Sequence, residues 1–299
     1  MLCGKLLGDG CLTKQLNRKP RFQFTHCAKD IDWSFYCFEQ LSPFIPLNPP
    51  KYRRIIDSRI VSGFTESYFV QSRTSEELCR LYELWYPHLK KELPFSYIEK
   101  NFSDKTLAWW YQDDGHLKIQ NGIPRKIILS TDSFSLVENH FLIDFLDKRY
   151  GLHFSIDAQN RLLLYDQYQI MYFLKLVDPY IHESMNRKRK LFSDVKKIAN
   201  RTTIYLPCNI QITKPTLDIN EQYRKLTLLL SLSGNYVHFF RQTKTLLDSQ
   251  VTTKPYQIQI ENGYKESLMF LRNHTGLNIS QLTTLCFKLN SEIKNRSDS

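Results

Sequence analysis

The chain has 299 residues, of which 42% are hydrophobic and 13% aromatic, so its composition argues against a largely disordered protein. The 41 Lys and Arg residues against 30 Asp and Glu leave a net charge of +11, which favours a polyanionic partner such as nucleic acid. The seven cysteines show no CxxC spacing, which argues against a zinc ribbon or disulfide scaffold. We therefore expect a reducing intracellular compartment: a bacterial or phage-host cytoplasm, or an organelle.

The first predicted element is a short apolar helix in the segment LCGKLLGDG, which ends at Asp9-Gly10. Lys5 and Asp9 interrupt the apolar run, and no stretch of the chain approaches the roughly 20 apolar residues that span a bilayer. We therefore expect neither a signal peptide nor a membrane partner.

Strands and helices then alternate through the first hundred residues. Two strands are predicted on either side of a polar turn at 17–20, because polar residues alternate with Phe22 and Phe24 in the second of them. The remaining predicted elements are a helix at 30–44, strands within 51–63 and 66–72, and a helix at 74–86 that opens with a Thr-x-x-Glu capping pattern.

The same order of elements is predicted a second time after residue 105. A helix at 106–112 ends at Asp114-Gly115, and Asp114 follows Asp9 by 105 positions. The elements after it are strands at 116–121 and 125–131, a helix at 133–151, strands at 153–158 and 161–166, and a helix at 167–178. Two αββαββα units are the economical interpretation, so the predicted fold class is α+β.

The repeated acid-glycine pair stands where a helix ends, and this is unfavourable for helix stability. Partial negative charge gathers on the last carbonyl groups of a helix, so a carboxylate there is repelled by a few tenths of a kcal/mol or more. Because the same cost occurs twice at the same place, we interpret the two acids as functional.

The last hundred residues show helical patterns that belong to neither repeat. Residues 201–215 are predicted to be a linker or an edge strand, and helices are predicted at about 218–232, 235–248, 263–273 and 279–295. The last two patterns with the glycine between them fit either a helix-turn-helix DNA-binding module or a helical packing domain. Both alternatives stay open at this point.

The paired strings LCGKLLGDG and LAWWYQDDG, each opening an αββαββα unit, resemble the LAGLIDADG homing endonucleases, in particular the intron-encoded subfamily with LLGDG and DDG motifs. The resemblance covers roughly residues 1–195 and implies two units, 1–100 and 101–197, that form a pseudo-twofold saddle. The predicted mainly helical C-terminal extension at 198–299 lies outside the resemblance. The resemblance also implies motif helices that pack against each other. The small motif residue Gly4 corresponds to Trp109, so a symmetric close crossing is not expected.

In that family the acid before the final motif glycine holds a divalent metal at the scissile phosphates. Carried over, the catalytic and metal-binding acids are Asp9 and Asp114 with Mg²⁺ as cofactor, whereas Asp113 stands one position early and is not expected to share the role. The family places a basic residue after the last helix of each unit, which here gives Lys91 and Lys188. A polar residue near the end of the second strand gives His26 and Asp132.

The resemblance further implies that the sheets bind double-stranded DNA. Strand residues with outward side chains would contact bases, and basic runs would contact phosphates. The expected DNA-binding residues are Arg21, Gln23, Thr25, Lys51, Arg53, Arg54, Arg187 and Lys190.

Three functions fit this pattern. The first is a monomeric, site-specific DNA endonuclease that cleaves a long asymmetric target. The second is an RNA-binding maturase that assists the splicing of intron RNA, and the third is a DNA-binding regulator without cleavage. Retention of both acids favours the endonuclease, and the C-terminal hundred residues favour an added binding function, such as an auxiliary DNA-binding domain.

Overall fold

The structure, a computed structural model, describes residues 1–189, 197–247 and 252–297. These residues form two compact units. The first comprises 1–118, 126–164 and 176–189, and the second comprises 119–125, 165–175 and the described residues from 197 onward. Within the described residues, no helix has both the length and the apolar composition that crossing a membrane would require.

The elements of the first repeat have the predicted order. They are α1 (Leu2–Leu7), β1 (Cys11–Thr13), β2 (Arg21–Cys27), α2 (Ile31–Leu41), β3 (Lys51–Ile56), β4 (Phe64–Gln71) and α3 (Glu76–Trp85). Helix α3 begins after Ser75, whose side chain accepts a hydrogen bond from the Leu78 backbone N–H. This satisfies one of the backbone donors that lack a partner at a helix start.

The second repeat has the same order. Its elements are α5 (Asp104–Asp114), β5 (Gly115–Gln120), β6 (Ile123–Leu129), α6 (Leu136–Tyr150), β7 (Ser155–Ile156), β8 (Leu162–Leu164) and α7 (Gln167–Val177). Helix α6 starts with a reciprocal capping box between Ser135 and Glu138, and it ends at Gly151 in the left-handed conformation, φ 70°. A short helix that the sequence analysis did not predict, α4 (Phe95–Asn101), precedes α5.

Each repeat contains one four-stranded antiparallel sheet, and the two sheets share one topology. The strand orders are β1-β2-β4-β3 and β5-β6-β8-β7. In β2 the side chains of Phe22 and Phe24 are buried while Arg21 and Thr25 are exposed, as the alternation predicts. The predicted α+β class with two αββαββα units is therefore confirmed.

The C-terminal region has both helices and strands. Its elements are β9 (Arg201–Pro207), α8 (Pro215–Gln222), α9 (Leu226–Ser233), α10 (Tyr236–Leu247), β10 (Thr253–Gln259), α11 (Asn262–Thr275) and α12 (Ile279–Ser297). Strands β9 and β10 pair antiparallel. The sequence pattern does not predict β10, because Pro255 lies inside it and prolines lower the expectation of a strand.

Candidate active site

The two motif helices α1 and α5 pack against each other through glycine on one side. A Cβ atom placed on Gly4 would lie 2.5 Å from the Thr106 carbonyl oxygen and 3.0 Å from Trp109 Cβ. A Cβ atom on Gly8 would lie 2.6 Å from Asp113 Cβ. The helices therefore approach closely along Gly4 and Gly8, although Trp109 replaces the motif glycine in the second repeat.

This crossing brings three carboxylates to one end of the two helices. Asp9 follows α1, with its side chain 34% exposed, and Asp113 and Asp114 are the last two residues of α5. Burial, together with the charge of Asp113, raises the pKa of Asp9 to about 6. Burial and the charges of Asp9 and Asp113 raise the pKa of Asp114 to about 7. The two predicted acids therefore lie close enough for Asp9 to affect the ionisation of Asp114.

Asp113 is neutralised within the protein by Lys5. Both side chains are fully buried, and Lys5 Nζ lies 2.8 Å from Asp113 Oδ1. Burial opposes ionisation of Asp113, but the charge of Lys5 and the hydrogen bond that it donates hold the pKa of Asp113 well below the usual value. Burial also opposes the charge on Lys5, and the charge of Asp113 nevertheless raises the Lys5 pKa. Both groups are therefore ionised.

His26 lies on the buried face of β2, the face of Phe22 and Phe24, because side chains alternate along a strand. Its Nε2 is 2.7 Å from Lys5 Nζ, and its Nδ1 is 2.7 Å from Ser34 Oγ. An ammonium group is only a donor, so Nε2 accepts and Nδ1 carries the proton that is donated to Ser34. Burial and the charge of Lys5 lower the pKa of His26 to about 4, so it is neutral at pH 7.

The geometry tests which of these residues fit a metal ion. Single ligand atoms of Asp9, His26 and Asp113 lie within 4.8 Å of one another. However, the Lys5 ammonium already binds both His26 and Asp113, so their inward-facing atoms are not free for a cation. Asp9 and Asp114 are carboxylates of raised pKa with partial exposure to solvent, a donor set that suits a hard divalent ion such as Mg²⁺. The two acids predicted from the motif therefore have the ligand chemistry that such an ion requires.

Lys188 is buried and binds the end of α5. Its Nζ donates to the carbonyl oxygens of Tyr111 at 3.0 Å and Asp113 at 3.3 Å, and also to that of Gln112. The Tyr111 hydroxyl donates in return to the Lys188 carbonyl oxygen at 2.9 Å. Burial lowers the pKa of Lys188 to about 8. This lysine supplies the positive charge that the end of a helix carrying two carboxylates requires.

Lys91 lies beside the first repeat. Its Nζ donates to the Gly10 carbonyl oxygen at 3.3 Å, directly after Asp9. Burial lowers its pKa, while the charges of Cys11, Asp114 and Asp9 act in the opposite direction. A lysine therefore stands near each of the two motif acids.

Asp132 has a different position. It is exposed in the turn after β6, next to the buried Thr131, whose hydroxyl donates to the Asn160 carbonyl oxygen at 3.0 Å. Within the described residues, no hydrogen bond or ion pair joins Asp132 to the acids and lysines above.

The predicted DNA contacts of β2 share one face of the first sheet. Arg21 and Thr25 are exposed and Gln23 is half-buried. Gln71 on the neighbouring strand β4 links two of them, because it accepts from Arg21 at 3.2 Å and donates to Gln23 at 3.0 Å. The outward face of this strand is therefore polar and partly ordered.

The predicted phosphate contacts lie at two places. Strand β3 is exposed throughout and carries Lys51, Arg53 and Arg54; the Arg53 guanidinium stacks on the Phe69 ring at 4.3 Å. Arg187 instead forms an ion pair with Asp30 at 2.9 Å. The remaining predicted contact, Lys190, lies outside the described residues.

Residue patterns missed some of the groups that surround the predicted residues Asp9, Asp114, His26, Lys91 and Lys188. Lys5 and Asp113 were given no role, and Gly8 was not singled out. The signal in the sequence is a lysine inside an apolar motif helix, which is unfavourable unless the partner helix supplies a buried acid. Trp33 completes the set, because its Nε1–H donates to Asp113 Oδ1 at 2.9 Å.

Comparison with known proteins gives consistent results. The model of the LAGLIDADG DNA endonuclease family matches residues 1–173. Uncharacterized protein MJ1098 of Methanocaldococcus jannaschii is 32% identical over 198 residues, 64% of this chain and 72% of that protein. The cytochrome b mRNA maturase bI2 of Debaryomyces hansenii is 27% identical over 202 residues, 63% of this chain and 71% of that protein. The solved structure of the homing endonuclease I-WcaI bound to its DNA recognition sequence matches with a TM-score of 0.55 at 22% identity, covering 65% of this chain and 85% of that chain.

Proposed function

The chain belongs to the LAGLIDADG DNA endonuclease family, and we propose that it hydrolyses both strands of double-stranded DNA at a long, asymmetric site. The observation that carries this proposal is the pair of partly exposed motif acids, Asp9 and Asp114, with raised pKa values of about 6 and about 7. The raised pKa values mean that the negative charge of each acid is unfavourable without a cation beside it. Binding of DNA alone would not require two such acids.

Asp9 and Asp114 would hold Mg²⁺ at the ends of α1 and α5. When bound, the metal would polarise the scissile phosphate and lower the pKa of a water molecule that attacks it. The chain's own residues prepare this site in two ways. Lys188 keeps the last carbonyl groups of α5 bound, which fixes the direction in which Asp114 leaves the helix. Lys91 holds the Gly10 carbonyl oxygen and so the turn that carries Asp9.

Both lysines also place positive charge where a phosphate would enter. A cation near the developing charge of a phosphoryl group stabilises the transition state more than the ground state. Burial favours the neutral form of each lysine, so an approaching phosphate would favour the charged form. We therefore assign Lys91 and Lys188 to positioning and to charge stabilisation.

Target recognition is proposed for the first sheet and its counterpart in the second repeat. The exposed polar face of β2 would read base edges, and the cations of β3 would contact phosphates. The related structure named above is described as bound to its DNA recognition sequence, which supports DNA as the partner proposed here. Because one chain contains both repeats, we propose a monomer with an asymmetric target.

The test is cleavage of a plasmid library by the purified protein in Mg²⁺, followed by sequencing of the ends. We expect cuts at one long sequence, none in excess EDTA, and none with Asp9→Asn or Asp114→Asn. Both variants should bind the identified target with an affinity within about threefold of wild type, since the acids face the metal. Cleavage by either variant at the wild-type rate would show that the acids have another role.

The second candidate function is that of an intron maturase, and the 27% identical relative of that name supports it. Both functions would use the same fold with different ligands. A competition experiment separates them: we would measure binding to the cleavable duplex against binding to the RNA of the intron that contains the coding sequence. Tight RNA binding that survives a saturating amount of duplex DNA would support a separate maturase surface.

The C-terminal region is proposed to add contacts to nucleic acid. Along α10 the exposed residues His238, Arg241, Gln242 and Thr245 form one stripe, and the helix contains no acidic residue. The opposite face is anchored by Phe240, which stacks on Tyr172 of α7 with ring centroids 3.7 Å apart. If Arg241 contacts a phosphate, Arg241→Ala should lower the slope of log affinity against log salt by about 0.9. The control is Arg201→Ala on β9, which should leave that slope unchanged.

A further inference from the structure

We propose that the buried ion pair between Lys5 and Asp113 is a positioning device that sets the places of both metal-binding carboxylates. This inference rests on the proposed function, since it assigns a role toward the metal held by Asp9 and Asp114. Neither residue of the ion pair is expected to touch substrate.

The ion pair joins the two motif helices at the ends where the acids project. Lys5 stands on α1 and Asp113 on α5, both side chains are fully buried, and the two charged atoms are 2.8 Å apart. Gly8 creates the space for the Asp113 side chain, because any Cβ at Gly8 would collide with it. Lys5, Gly8 and Asp113 are thus a matched set across one helix crossing.

The set is bonded directly to the backbone that carries Asp9. The Asp113 Oδ2 atom accepts from the Asp9 backbone N–H at 3.3 Å. The Lys5 carbonyl oxygen accepts from the backbone N–H groups of Gly8 at 3.2 Å and Gly10 at 2.6 Å, on either side of Asp9. Asp114 is the next residue after Asp113. A shift of the ion pair therefore displaces both carboxylates together.

Stability alone does not explain the ion pair. Apolar residues that fill the same volume are often as stable as a buried ion pair or more stable, because both charges lose their hydration. Here the costs are offset by a full set of partners: Trp33 Nε1 donates to Asp113, and Lys5 donates to His26 and lies 4.4 Å from the Phe24 ring centre. Ionic groups that are fully bonded in this way fix one geometry, which an apolar contact does not.

The experiment compares Lys5→Met, Asp113→Asn and the double variant. Binding of Tb³⁺ to the full-length protein without DNA is measured by luminescence excited through nearby tryptophans, beside the thermal midpoint and the Mg²⁺ dependence of cleavage. Each single variant leaves one buried charge unpaired and should lower the thermal midpoint by about 10 °C. The double variant should recover the midpoint to within about 3 °C of wild type.

The predicted difference lies in metal binding. In the double variant, Tb³⁺ affinity should stay about tenfold below wild type, and the Mg²⁺ concentration for half-maximal cleavage should rise by a similar factor, because the carboxylates are no longer held in place. If Tb³⁺ affinity and cleavage both return to wild type with the thermal midpoint, the pair only supports the fold and the proposal is overturned.

A second variant keeps the test decisive if the double variant does not fold. Trp33→Phe removes the hydrogen bond to Asp113 and leaves both charges in place. Its matched control is Trp85→Phe, which removes the same volume from another fully buried tryptophan, whose Nε1 has no hydrogen-bond partner among the described residues. Tb³⁺ affinity should fall about threefold in the first variant and stay unchanged in the second. Equal affinities in the two variants would overturn the proposal.

The Tb³⁺ measurement also separates this inference from the proposed function. Should the wild-type protein bind Tb³⁺ through Asp9 and Asp114 but cut no DNA, the endonuclease proposal fails and the positioning role is still tested by the variants. Should wild-type protein and Asp9→Asn bind Tb³⁺ equally, the metal site itself is misassigned and the positioning role falls with it.

Discussion

The two motif helices carry the same acid-glycine ending, yet their last turns are held by different means. At the end of α1 the chain binds its own backbone, since the N–H groups of Gly8 and Gly10 both donate to the Lys5 carbonyl oxygen. At the end of α5 the last carbonyl groups are bound by a side chain from a distant segment. The Lys188 ammonium donates to three consecutive carbonyl oxygens there. The first ending is held mainly by its own backbone, with single contacts to Asp113 and Lys91, whereas one distant lysine holds three carbonyl oxygens of the second.

The edge strands of the two sheets also differ, in length and in charge. Strand β3 of the first repeat has six exposed residues, three of them basic, whereas its counterpart β7 has two residues. Two units of one topology therefore differ in their helix ends and in their edge strands while sharing the strand order and the motif acids. A chain that contains both repeats is free to diverge in this way, because each half meets only one partner.

The largest effect is expected at Gly8, whose equivalent position in the second repeat is Asp113. Gly8→Ala places a methyl group 2.6 Å from Asp113 Cβ, so the helices must separate. We expect the free energy of unfolding to fall by about 3 kcal/mol, measured by urea denaturation. Gly263→Ala is the control, because its added Cβ meets no atom within 4 Å. It should be neutral or stabilising by up to about 1 kcal/mol.

The next effect tests how differently the two helix ends are held. Lys188→Met leaves buried carbonyl groups of α5 without a donor, and should lower the free energy of unfolding by about 2 kcal/mol. Lys91→Met removes one hydrogen bond, to Gly10, and should cost about 0.5 kcal/mol. Arg187→Met, which removes an exposed ion pair with Asp30, is the control and should cost at most about 1 kcal/mol. Equal losses for Lys188 and Lys91 would contradict the comparison.

The pH dependence distinguishes the two motif acids. A carboxyl whose pKa is raised on folding binds more protons in the native state, so its contribution to stability is lost as pH rises through the folded pKa. For Asp114 this pKa is about 7 and for Asp9 about 6. Without metal, wild-type protein should therefore lose stability relative to Asp114→Asn as pH rises from about 4, the ordinary pKa of an Asp carboxyl, to about 7, and the difference should level off above that.

Two other groups limit this window. Below about pH 6.5, neutral His26 has the opposite effect on stability, because its folded pKa of about 4 lies below the unfolded value. Near pH 8 the lowered pKa of Lys188 begins to contribute. Addition of Mg²⁺ should remove the pH dependence of the difference. A difference curve that is flat from pH 5 to pH 7 would contradict the raised pKa of Asp114.

The smallest effect concerns DNA binding by the unequal edge strands. Arg53→Ala and Arg54→Ala should each lower the slope of log affinity against log salt by about 0.9 on the identified target. Arg59→Ala, in the turn after β3 and paired with Asp57, is the matched control. If the slope is unchanged in the two strand variants, β3 does not contact phosphates.

Much of the fold was predictable because it depends on local patterns. Alternation of polar and apolar residues defines β2, and the Ser135 and Glu138 pair marks the start of α6. Strand β10 was not predicted because its strand character depends on pairing with β9. In that pairing Pro255 of β10 lies opposite Tyr205 of β9. Helix α4 is seven residues long with Pro94 as its N-cap, and offers too little periodicity to be recognised.

The acids of the candidate site and the lysines near them were predictable, but the partners of those lysines were not. Asp9 and Asp114 are visible as a repeated motif. The partners of Lys5 and Lys188 depend on the register of a helix crossing and on a segment 75 to 77 residues away in the chain. A sequence pattern can predict that a lysine lies near the motif acids. Only the packed helices determine whether that lysine faces the metal, a carboxylate or a carbonyl group.

The crossing of α1 and α5 also sets the order in which this chain can fold. Lys5 and Asp113 are 108 positions apart, so at roughly 5 to 20 residues per second the ribosome needs about 5 to 20 s to deliver the acid after the lysine. Throughout that interval the face of α1 that packs against α5 has no partner. Until Asp113 arrives, the hydrated ammonium of Lys5 interrupts that face and opposes self-association of the nascent chain. The buried charge of the finished protein is thus a solubilising charge during synthesis.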